Sequence, residues 1–123
     1  MLFRSIATTA VNMFKDPWPM EYDRVLFSDI FHDWDDERCE LLAARARASL
    51  RPRGRVLVHE MILSETRDAP LPALAYSMAM VFSTQGRQRS ASEIAAILRG
   101  AGFVDLEVTI TSGGYAVISG GVA

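Results

Sequence analysis

The 123-residue sequence predicts an α/β fold with an open sheet, whose parallel strands end in an antiparallel pair and whose faces both carry helices. Short apolar runs alternate along the chain with stretches of helical spacing. Two of these runs, 24–31 and 55–63, are almost continuously apolar, as in strands covered on both faces. Two later runs, 103–111 and 115–119, flank a Ser-Gly-Gly turn, which is typical of an antiparallel hairpin.

The segment before residue 24 predicts one short strand and one loop. Residues 1–5 carry no structural signature, and we leave them unassigned. Ile, Thr and Val are frequent in 6–11, which favours a strand. Two prolines punctuate 12–22, which therefore predicts a loop.

A helix is predicted after the strand at 24–31. Three consecutive acidic residues at 35–37 are typical of a helix start, because the helix macrodipole stabilises negative charge there. From Asp36 to Leu50 the apolar residues keep helical spacing on one face, which includes Cys39 as a core residue. A proline and a glycine directly afterwards end this helix.

The strand at 55–63 leads through a polar, proline-containing stretch into a second predicted helix. Gly86 ends that helix. One apolar stripe runs along it and comprises Leu71, Leu74, Ala75, Met78, Val81 and Phe82.

A basic loop with Arg87 and Arg89, both expected to be solvated, separates the second helix from the third. Ser90 and Glu93 have the spacing of a capping box, in which each residue caps the backbone of the other. The third helix is therefore expected to begin at Ser90 and to continue to Arg99.

Composition excludes several classes of function. Thirteen Lys and Arg against fifteen Asp and Glu give a net charge of −2 without a basic stripe, so we expect no nucleic-acid partner. A single cysteine cannot form an internal disulfide, which suits the reducing cytoplasm. No apolar run is long enough to span a bilayer, and no secretory signal is recognisable. We expect a cytoplasmic protein with no membrane partner and no bound metal ion.

Two titratable residues are expected at the functional edge of this sheet. Ligands of open α/β sheets bind beyond the carboxyl ends of the parallel strands. His32 ends the strand at 24–31 and Glu60 lies late in the strand at 55–63, so both side chains should reach one rim. A histidine oriented by a carboxylate can act as a general base.

Both residues also have a structural interpretation. A histidine directly before a helix is commonly a cap or a surface residue. Glu60 needs a partner because a buried carboxylate is costly, but a hydrogen bond to a neighbouring loop would meet that need. Alternation along the strand places His59 on the opposite face, where we expect a structural role.

Five motifs in order carry a resemblance to a known family. They are His32-Asp33-Trp34, Pro52-Arg53-Gly54, Glu60, Gly86-Arg87-Gln88-Arg89-Ser90 and Ala101-Gly102-Phe103. Over about 6–119 the chain resembles the small-molecule O-methyltransferases, which include plant caffeate, flavonoid and isoflavone enzymes. It looks closer to the bacterial members that modify polyketides and pigments in secondary metabolism than to the plant enzymes.

The resemblance implies S-adenosylmethionine as cofactor and a role for each matched residue. His32 would take the proton from a substrate hydroxyl as that oxygen attacks the sulfonium methyl group, and Glu60 would hold the imidazole in the productive tautomer. Asn12 and Met13 match the residues that hold the cofactor's adenine, and an Asn oxygen can still accept from its amino group. Ser28 stands where the family contacts the cofactor.

The substrate implied is a small hydroxylated molecule, aromatic or polyketide-like. Asp33 would either touch it or cap the following helix. Met78 and Met80 would line its pocket, because Met adapts to flat apolar ligands, or else pack in the core.

The sequence departs from the family pattern at one carboxylate and in one missing region. A second carboxylate that backs the histidine in the family falls at Gln88, so His32 should be backed by Glu60 alone. The family's glycine-rich first strand, its second strand and its N-terminal dimerisation domain have no counterpart upstream of residue 6. We therefore expect 6–123 to be the C-terminal part of the catalytic domain of a longer, homodimeric enzyme.

An incomplete Rossmann-like methyltransferase sheet follows from this interpretation. The family's first two strands lie between its third and fourth, which correspond here to 6–11 and 24–31. The strand at 24–31 should therefore expose a bare apolar edge. We expect this chain by itself to bind the cofactor very weakly and to be inactive.

Two other interpretations stay open at this point. A non-catalytic relative could use the same fold for binding or regulation, as the changes at Gln88 and Asn12 would allow. A small α/β signalling domain is a third possibility. A receiver-like domain needs a lysine late in its sheet, however, and the only lysine is Lys15, in an early loop.

Overall fold

A computed structural model describes residues 6–123 and forms a four-stranded mixed sheet with three α-helices. Residues 1–5, which we leave unassigned, lie outside the described part. The elements are β1 (Tyr22–Ser28), α1 (Asp36–Ser49), β2 (Leu50–Met61), α2 (Leu71–Ser83), α3 (Ala91–Gly100), β3 (Val104–Ile110) and β4 (Tyr115–Gly121). The strand order is β1-β2-β4-β3, with β1 parallel to β2 and the other two pairs antiparallel. The predicted α/β fold class, with parallel strands and a final antiparallel pair, is confirmed, whereas within residues 6–123 the predicted helices on both faces are not, because α1 and α3 pack on one face.

The core lies between the sheet and the helices α1 and α3. Alternate side chains of β2, Val56 and Val58, are buried in one cluster with Leu42 of α1 and Leu98 of α3. Leu57, between the two valines, points the other way and is only partly buried. Within the described residues, these two helices therefore cover one face of the sheet.

Residues 6–11 do not form the predicted strand. They form no regular element and are exposed, and no strand pairs with them. An isolated strand leaves its backbone hydrogen bonds unmade and is not stable without a pairing partner. β1 pairs with β2 alone, and its Leu26 is 63% exposed, so the bare apolar edge predicted for this strand is confirmed.

β1 ends earlier than predicted, at Ser28 rather than at residue 31. Asp29 has a φ of 53°, in the left-handed region that ends a strand. Phe31–Asp33 then form a single 3-10 turn, which we call the His32 turn. His32 is therefore carried by this turn, beyond the strand end where it was expected.

The helix predicted from the acidic cluster is α1. Asp35 caps it by accepting a hydrogen bond from the Arg38 backbone N–H at 2.9 Å, and Asp36 lies in its first turn. Cys39 is fully buried, as predicted, and burial raises the pKa of its thiol to about 12. β2 begins directly after α1, so the strand starts earlier than predicted. Residues 52–54 belong to β2, but they lie where its pairing with β1 is irregular.

The predicted apolar stripe of α2 does not face the core. Its residues Leu71, Met78 and Val81 are exposed, and Phe82 is 85% exposed, whereas Ala73 and Met80 are buried. The helix is apolar on every side, so hydrophobic periodicity could not select the buried face. α2 packs on the His32 turn rather than on the sheet.

The C-terminal third matches its prediction closely. In the capping box, the Ser90 backbone N–H donates to Glu93 Oε2 at 2.8 Å, and the Glu93 N–H donates to Ser90 Oγ at 3.3 Å. β3 and β4 form the antiparallel hairpin, and Gly113 and Gly114 both adopt positive φ in its turn. Among the helices of residues 6–123, none has the length and apolar character to cross a membrane.

Candidate active site

The pairing of β1 with β2 brings His32 and Glu60 together. Ser28 is opposite His59 in the parallel register, so the turn after β1 lies beside the end of β2. The Glu60 carboxylate accepts the His32 backbone N–H at 3.1 Å with one oxygen, and its other oxygen lies 3.2 Å from His32 Nδ1. Both side chains are buried. The two residues expected at one rim of the sheet are therefore in contact.

The other imidazole nitrogen points away from Glu60. His32 Nε2 lies 3.4 Å from an oxygen of Asp33, whose side chain is partly exposed. Asp35 caps α1, so the capping interpretation of Asp33 is wrong. Nδ1 faces the buried Glu60, whereas Nε2 faces only the partly exposed Asp33, so Nε2 is the nitrogen that could accept a proton from a ligand.

The surroundings make His32 a stronger base than a free imidazole. Burial by itself lowers its pKa, but the hydrogen bond and charge of Glu60 act in the opposite direction, as do the charges of Asp33 and Asp29. The net result is a raised pKa for His32. The carboxylates therefore stabilise the imidazolium that proton transfer would form.

Three further residues of the site were missed by the sequence analysis. Asp29 accepts a hydrogen bond from the Tyr115 hydroxyl at 3.1 Å, and its carboxylate lies 3.9 Å from His32 Nδ1. Tyr76 meets His32 edge-on, with ring centroids 5.1 Å apart. No sequence signal identified Asp29, because it lies inside the strand predicted at 24–31 and follows a strand end only in the structure, where β1 stops at Ser28.

One nitrogen and two carboxylates of the site are close enough to bind a cation together. Ligand atoms of Asp29, His32 and Glu60 lie within 4.8 Å of one another. Imidazole and carboxylate donors are used by several divalent metals. The expectation that no metal ion is bound here stays a prediction.

Arg89 anchors the His32 turn, which corrects its assignment to a solvated loop. It is 3% exposed, and its guanidinium donates to the carbonyls of Phe31 at 2.8 Å and Trp34 at 2.9 Å. It also bonds Asp36 at 2.8 Å, and this bond helps to lower the pKa of that carboxyl. Arg87 is partly exposed and pairs with Glu93 at 3.2 Å. These carbonyls, not the local sequence, account for the burial of Arg89.

Gly86 does not end α2, which stops at Ser83, but lies against the backbone of the His32 turn. A Cβ at Gly86 would clash with the carbonyl of His32 and lie 2.5 Å from the backbone nitrogen of Trp34. Both obstacles are backbone atoms, which cannot rotate away as a side chain can. Glycine is therefore required by close approach.

We expect Gly86→Ala to lower the free energy of unfolding by about 1–3 kcal/mol, because the new methyl group overpacks the turn. Gly100→Ala is the matched control, since a Cβ at Gly100 meets no atom within 4 Å. It should be neutral or stabilise by about 0.4–1 kcal/mol. Urea denaturation of both variants measures the difference, and equal midpoints would contradict the packing argument.

Gln88, at the position of the missing family carboxylate, is buried and forms structural bonds. Its side-chain amide donates to the Met61 carbonyl at 2.6 Å, and its backbone N–H donates to Ser77 Oγ at 3.2 Å. It thereby joins the end of β2 to α2. A neutral amide used in this way supplies no charge to His32.

The residues expected to hold the cofactor lie along β1. Asn12 Oδ1 accepts the backbone N–H groups of Phe14 at 3.0 Å and Lys15 at 3.2 Å, so the oxygen expected to bond adenine stabilises a turn. Met13 lines an open apolar pocket of about 390 Å³ beside the bare edge. Ser28 Oγ lies 2.8 Å from Nδ1 of His59, which stacks on Tyr115 on the face opposite Glu60.

The two methionines expected near the substrate have different surroundings. Met80 is buried, but it lies outside the main cluster of the core. Met78 is exposed and lines a shallow pocket of about 340 Å³ together with Leu74 and Phe82. Tyr76, from the same helix, is the α2 side chain whose ring contacts His32.

Comparisons with known proteins agree with the geometry. A family model described as the O-methyltransferase domain matches residues 2–104. Acetylserotonin O-methyltransferase of Gallus gallus is 39% identical over 117 residues, which are 95% of this chain and 34% of that protein. The chain thus spans about a third of this relative.

Solved structures with the same architecture include two from distant organisms. Human N-acetylserotonin methyltransferase in complex with SAM superposes with a TM-score of 0.89 at 33% identity, over 94% of this chain and 33% of that one. An O-methyltransferase family 2 protein from Planctomyces limnophilus in complex with apigenin superposes with a TM-score of 0.86 at 32% identity. The superposition covers 92% of this chain and 33% of that one.

Proposed function

The chain belongs to the O-methyltransferase family, and we propose that it is the C-terminal part of the catalytic domain of an enzyme that transfers a methyl group from S-adenosylmethionine to a hydroxyl of a small molecule. We further propose that the longer enzyme is a homodimer through an N-terminal domain. The observation that carries the activity is the buried His32–Glu60 pair, with Nε2 facing away from the carboxylate.

The substrate class follows from the site and from the relatives. A general base of this kind removes the proton of a hydroxyl group, which must leave as the oxygen gains the methyl group. One relative is named for acetylserotonin, and one structural neighbour holds apigenin. Both compounds are hydroxylated aromatic molecules, so we propose a substrate of that class or a polyketide-like analogue. Tyr76 and Asp33, next to the imidazole, and Met78 are candidates to contact it.

The residues of this chain perform the proton transfer. Glu60 fixes the imidazole with the proton on Nδ1, which leaves the lone pair on Nε2 for the substrate proton. When that proton arrives, the ring becomes a cation, and Glu60 lies 3.2 Å from it. The bound cofactor would supply the methyl group on a sulfonium, whose positive sulfur makes the methyl carbon electrophilic.

The described residues fit one end of such a cofactor. Met13 and Leu26 line the apolar pocket beside β1, which suits a flat adenine ring. Asn12 lies next to Met13, and an adenine amino group would share its amide oxygen with the turn. Ser28 offers a hydroxyl at the end of β1. We propose that these residues contribute to cofactor binding.

A non-catalytic relative is the second candidate, and one observation favours it. Gln88 stands where the family has a second carboxylate, and its amide is committed to Met61. A binding protein with this fold would hold the cofactor and release no methylated product. Membership of the O-methyltransferase family argues against the signalling-domain interpretation.

Cofactor binding and methyl transfer are tested separately. We expect calorimetric titration of the 123-residue chain with S-adenosylmethionine to give binding weaker than micromolar, because the adenine end alone is present; micromolar binding would contradict this. The longer enzyme, incubated with S-adenosylmethionine and hydroxylated aromatics, should yield products that gain a methyl group by mass spectrometry. Tight cofactor binding without product would favour the non-catalytic relative.

A further inference from the structure

We infer that Asp29 is a second carboxylate that backs His32, and that Tyr115 holds it in place. This inference rests on the proposed function. Asp29 would then be a positioning residue, which acts on the reaction through the imidazole. The family pattern places the second carboxylate at Gln88, and the structure places a different one, from a different element, beside the same nitrogen.

The geometry places two carboxylates at one nitrogen. His32 Nδ1 lies 3.2 Å from an oxygen of Glu60 and 3.9 Å from an oxygen of Asp29. The first distance is within hydrogen-bond range, although Nδ1 and that oxygen are not aligned as a hydrogen bond, and the second is that of an ion pair. Glu60 is thus the nearer negative charge, which favours a proton on Nδ1, and Asp29 contributes a further negative charge on the same side of the ring.

The backbone of Asp29 directs its side chain to this position. Its φ of 53° is a conformation that few residues besides Gly, Asn and Asp adopt readily. The Asp29 N–H still donates to the His59 carbonyl at 3.1 Å, so the residue is fixed to β2. Non-glycine residues in this conformation are held by their surroundings and concentrate at functional sites.

Tyr115 fixes the carboxylate from the opposite side. Its hydroxyl donates to Asp29 at 3.1 Å, and its ring stacks on His59 with centroids 4.6 Å apart. Burial, and then the bond to Asp29, raise the pKa of Tyr115 to about 12, so the phenol stays a donor across the neutral range. The Asp29 side chain is 41% exposed, and this anchor limits its motion.

A second negative charge matters most after proton transfer, when the imidazole is a cation. Removal of that charge should destabilise the imidazolium and lower the pKa of His32. The titratable groups that face the ring are Asp29 after β1, Asp33 in the His32 turn, Glu60 from β2 and Tyr76 from α2, with Tyr115 from β4 acting through Asp29.

The test is a proton titration of the two histidines by NMR, in the 123-residue chain with Asp29→Asn. The pKa of His32 should fall by roughly half a unit to one unit, since the lost charge is partly screened by solvent. Tyr115→Phe, which keeps the ring and removes the anchor, should cause a smaller fall in the same direction. Asp23→Asn is the matched control, because Asp23 lies at the other end of β1 in an ion pair with Arg51.

An unchanged His32 pKa in Asp29→Asn, or an equal fall in Asp23→Asn, would overturn the inference. In the longer enzyme, at a pH above the wild-type inflection, Asp29→Asn should reduce kcat by up to roughly three- to tenfold and move the inflection to lower pH, with KM for S-adenosylmethionine unchanged. If EDTA lowers the wild-type rate and a divalent cation restores it, Asp29 serves a metal instead, which also overturns the inference. If the His32 pKa falls as expected but the longer enzyme transfers no methyl group, the proposed function is wrong and the inference about Asp29 stands.

Discussion

Replacement of His32 by asparagine is expected to lower kcat of the longer enzyme by roughly 10²- to 10⁴-fold, while the affinity for S-adenosylmethionine stays unchanged. The asparagine amide can still donate to Glu60 from near the position of Nδ1, so the His32 turn should keep its shape. It has no basic nitrogen to replace Nε2. The loss would therefore measure general-base catalysis rather than folding.

The pH dependence gives this prediction a second readout. The imidazole must be neutral to accept a proton, and its pKa is raised, so the wild-type rate should rise with pH through an inflection above the usual histidine value. That inflection should vanish in His32→Asn. The only other histidine of the chain provides a comparison. His59 stacks on Tyr115 and lies 2.8 Å from Ser28 Oγ, so His59→Asn should cause a small loss of kcat, far below that of His32→Asn, and should keep the inflection.

Two outcomes would contradict the assignment of His32. An equal loss of kcat in His32→Asn and His59→Asn would indicate a general effect on the fold. An unchanged kcat in His32→Asn would leave positioning and proximity of the substrate as the source of rate acceleration. Calorimetric titration of each variant with the cofactor separates these effects from loss of binding.

The central pair could be predicted because its determinants are local or follow a general rule. Neighbouring parallel strands have their carboxyl ends at the same edge of the sheet, so this rule alone predicts that His32 and Glu60 lie close together. The Ser90–Glu93 capping box depends on residues three positions apart. The first case needs only the general rule, although the two residues are 28 positions apart, and in the second a short stretch of sequence contains all the groups.

The rest of the site depends on contacts that no local pattern contains. Tyr115 and Asp29 are 86 positions apart, and Arg89 and Asp36 are 53 apart. Asp29 turns towards His32 because of one backbone angle at the end of β1, and a one-residue difference in that strand end would direct it elsewhere. The sequence analysis therefore missed Asp29 and placed Arg89 in solvent.

The incorrect elements fail for a related physical reason. Residues 6–11 have the composition of a strand, but β structure requires a partner that composition does not identify. α2 is apolar on all sides, so its buried face depends on what packs against it. Its contact is the His32 turn, which puts Tyr76 beside His32 and leaves Phe82 exposed.

Arg89→Met is expected to cause the largest loss of stability, about 2–5 kcal/mol in the free energy of unfolding. Methionine fills a similar volume but removes the charged donor from the Trp34 carbonyl and from the Phe31 carbonyl, which keeps only its bonds from the Trp34 N–H and Cys39 Sγ. A hydrogen bond to a charged group contributes about 1.5–3 kcal/mol. The bond to Asp36 is lost as well. Urea denaturation should show a lower midpoint with an unchanged slope.

Arg87→Met is the matched control, two positions away in the same loop. Arg87 forms ion pairs with Glu93 and Asp36, but it is partly exposed, and pairs of this kind contribute about 0–1 kcal/mol. A similar midpoint shift in both variants would mean that charge in this loop, rather than the buried hydrogen bonds, holds the His32 turn. If only Arg89→Met lowers the midpoint, then Arg89 sets the position of His32, although it lies 53 residues beyond Asp36. The Phe31 and Trp34 carbonyls that it binds lie on either side of His32 in the chain.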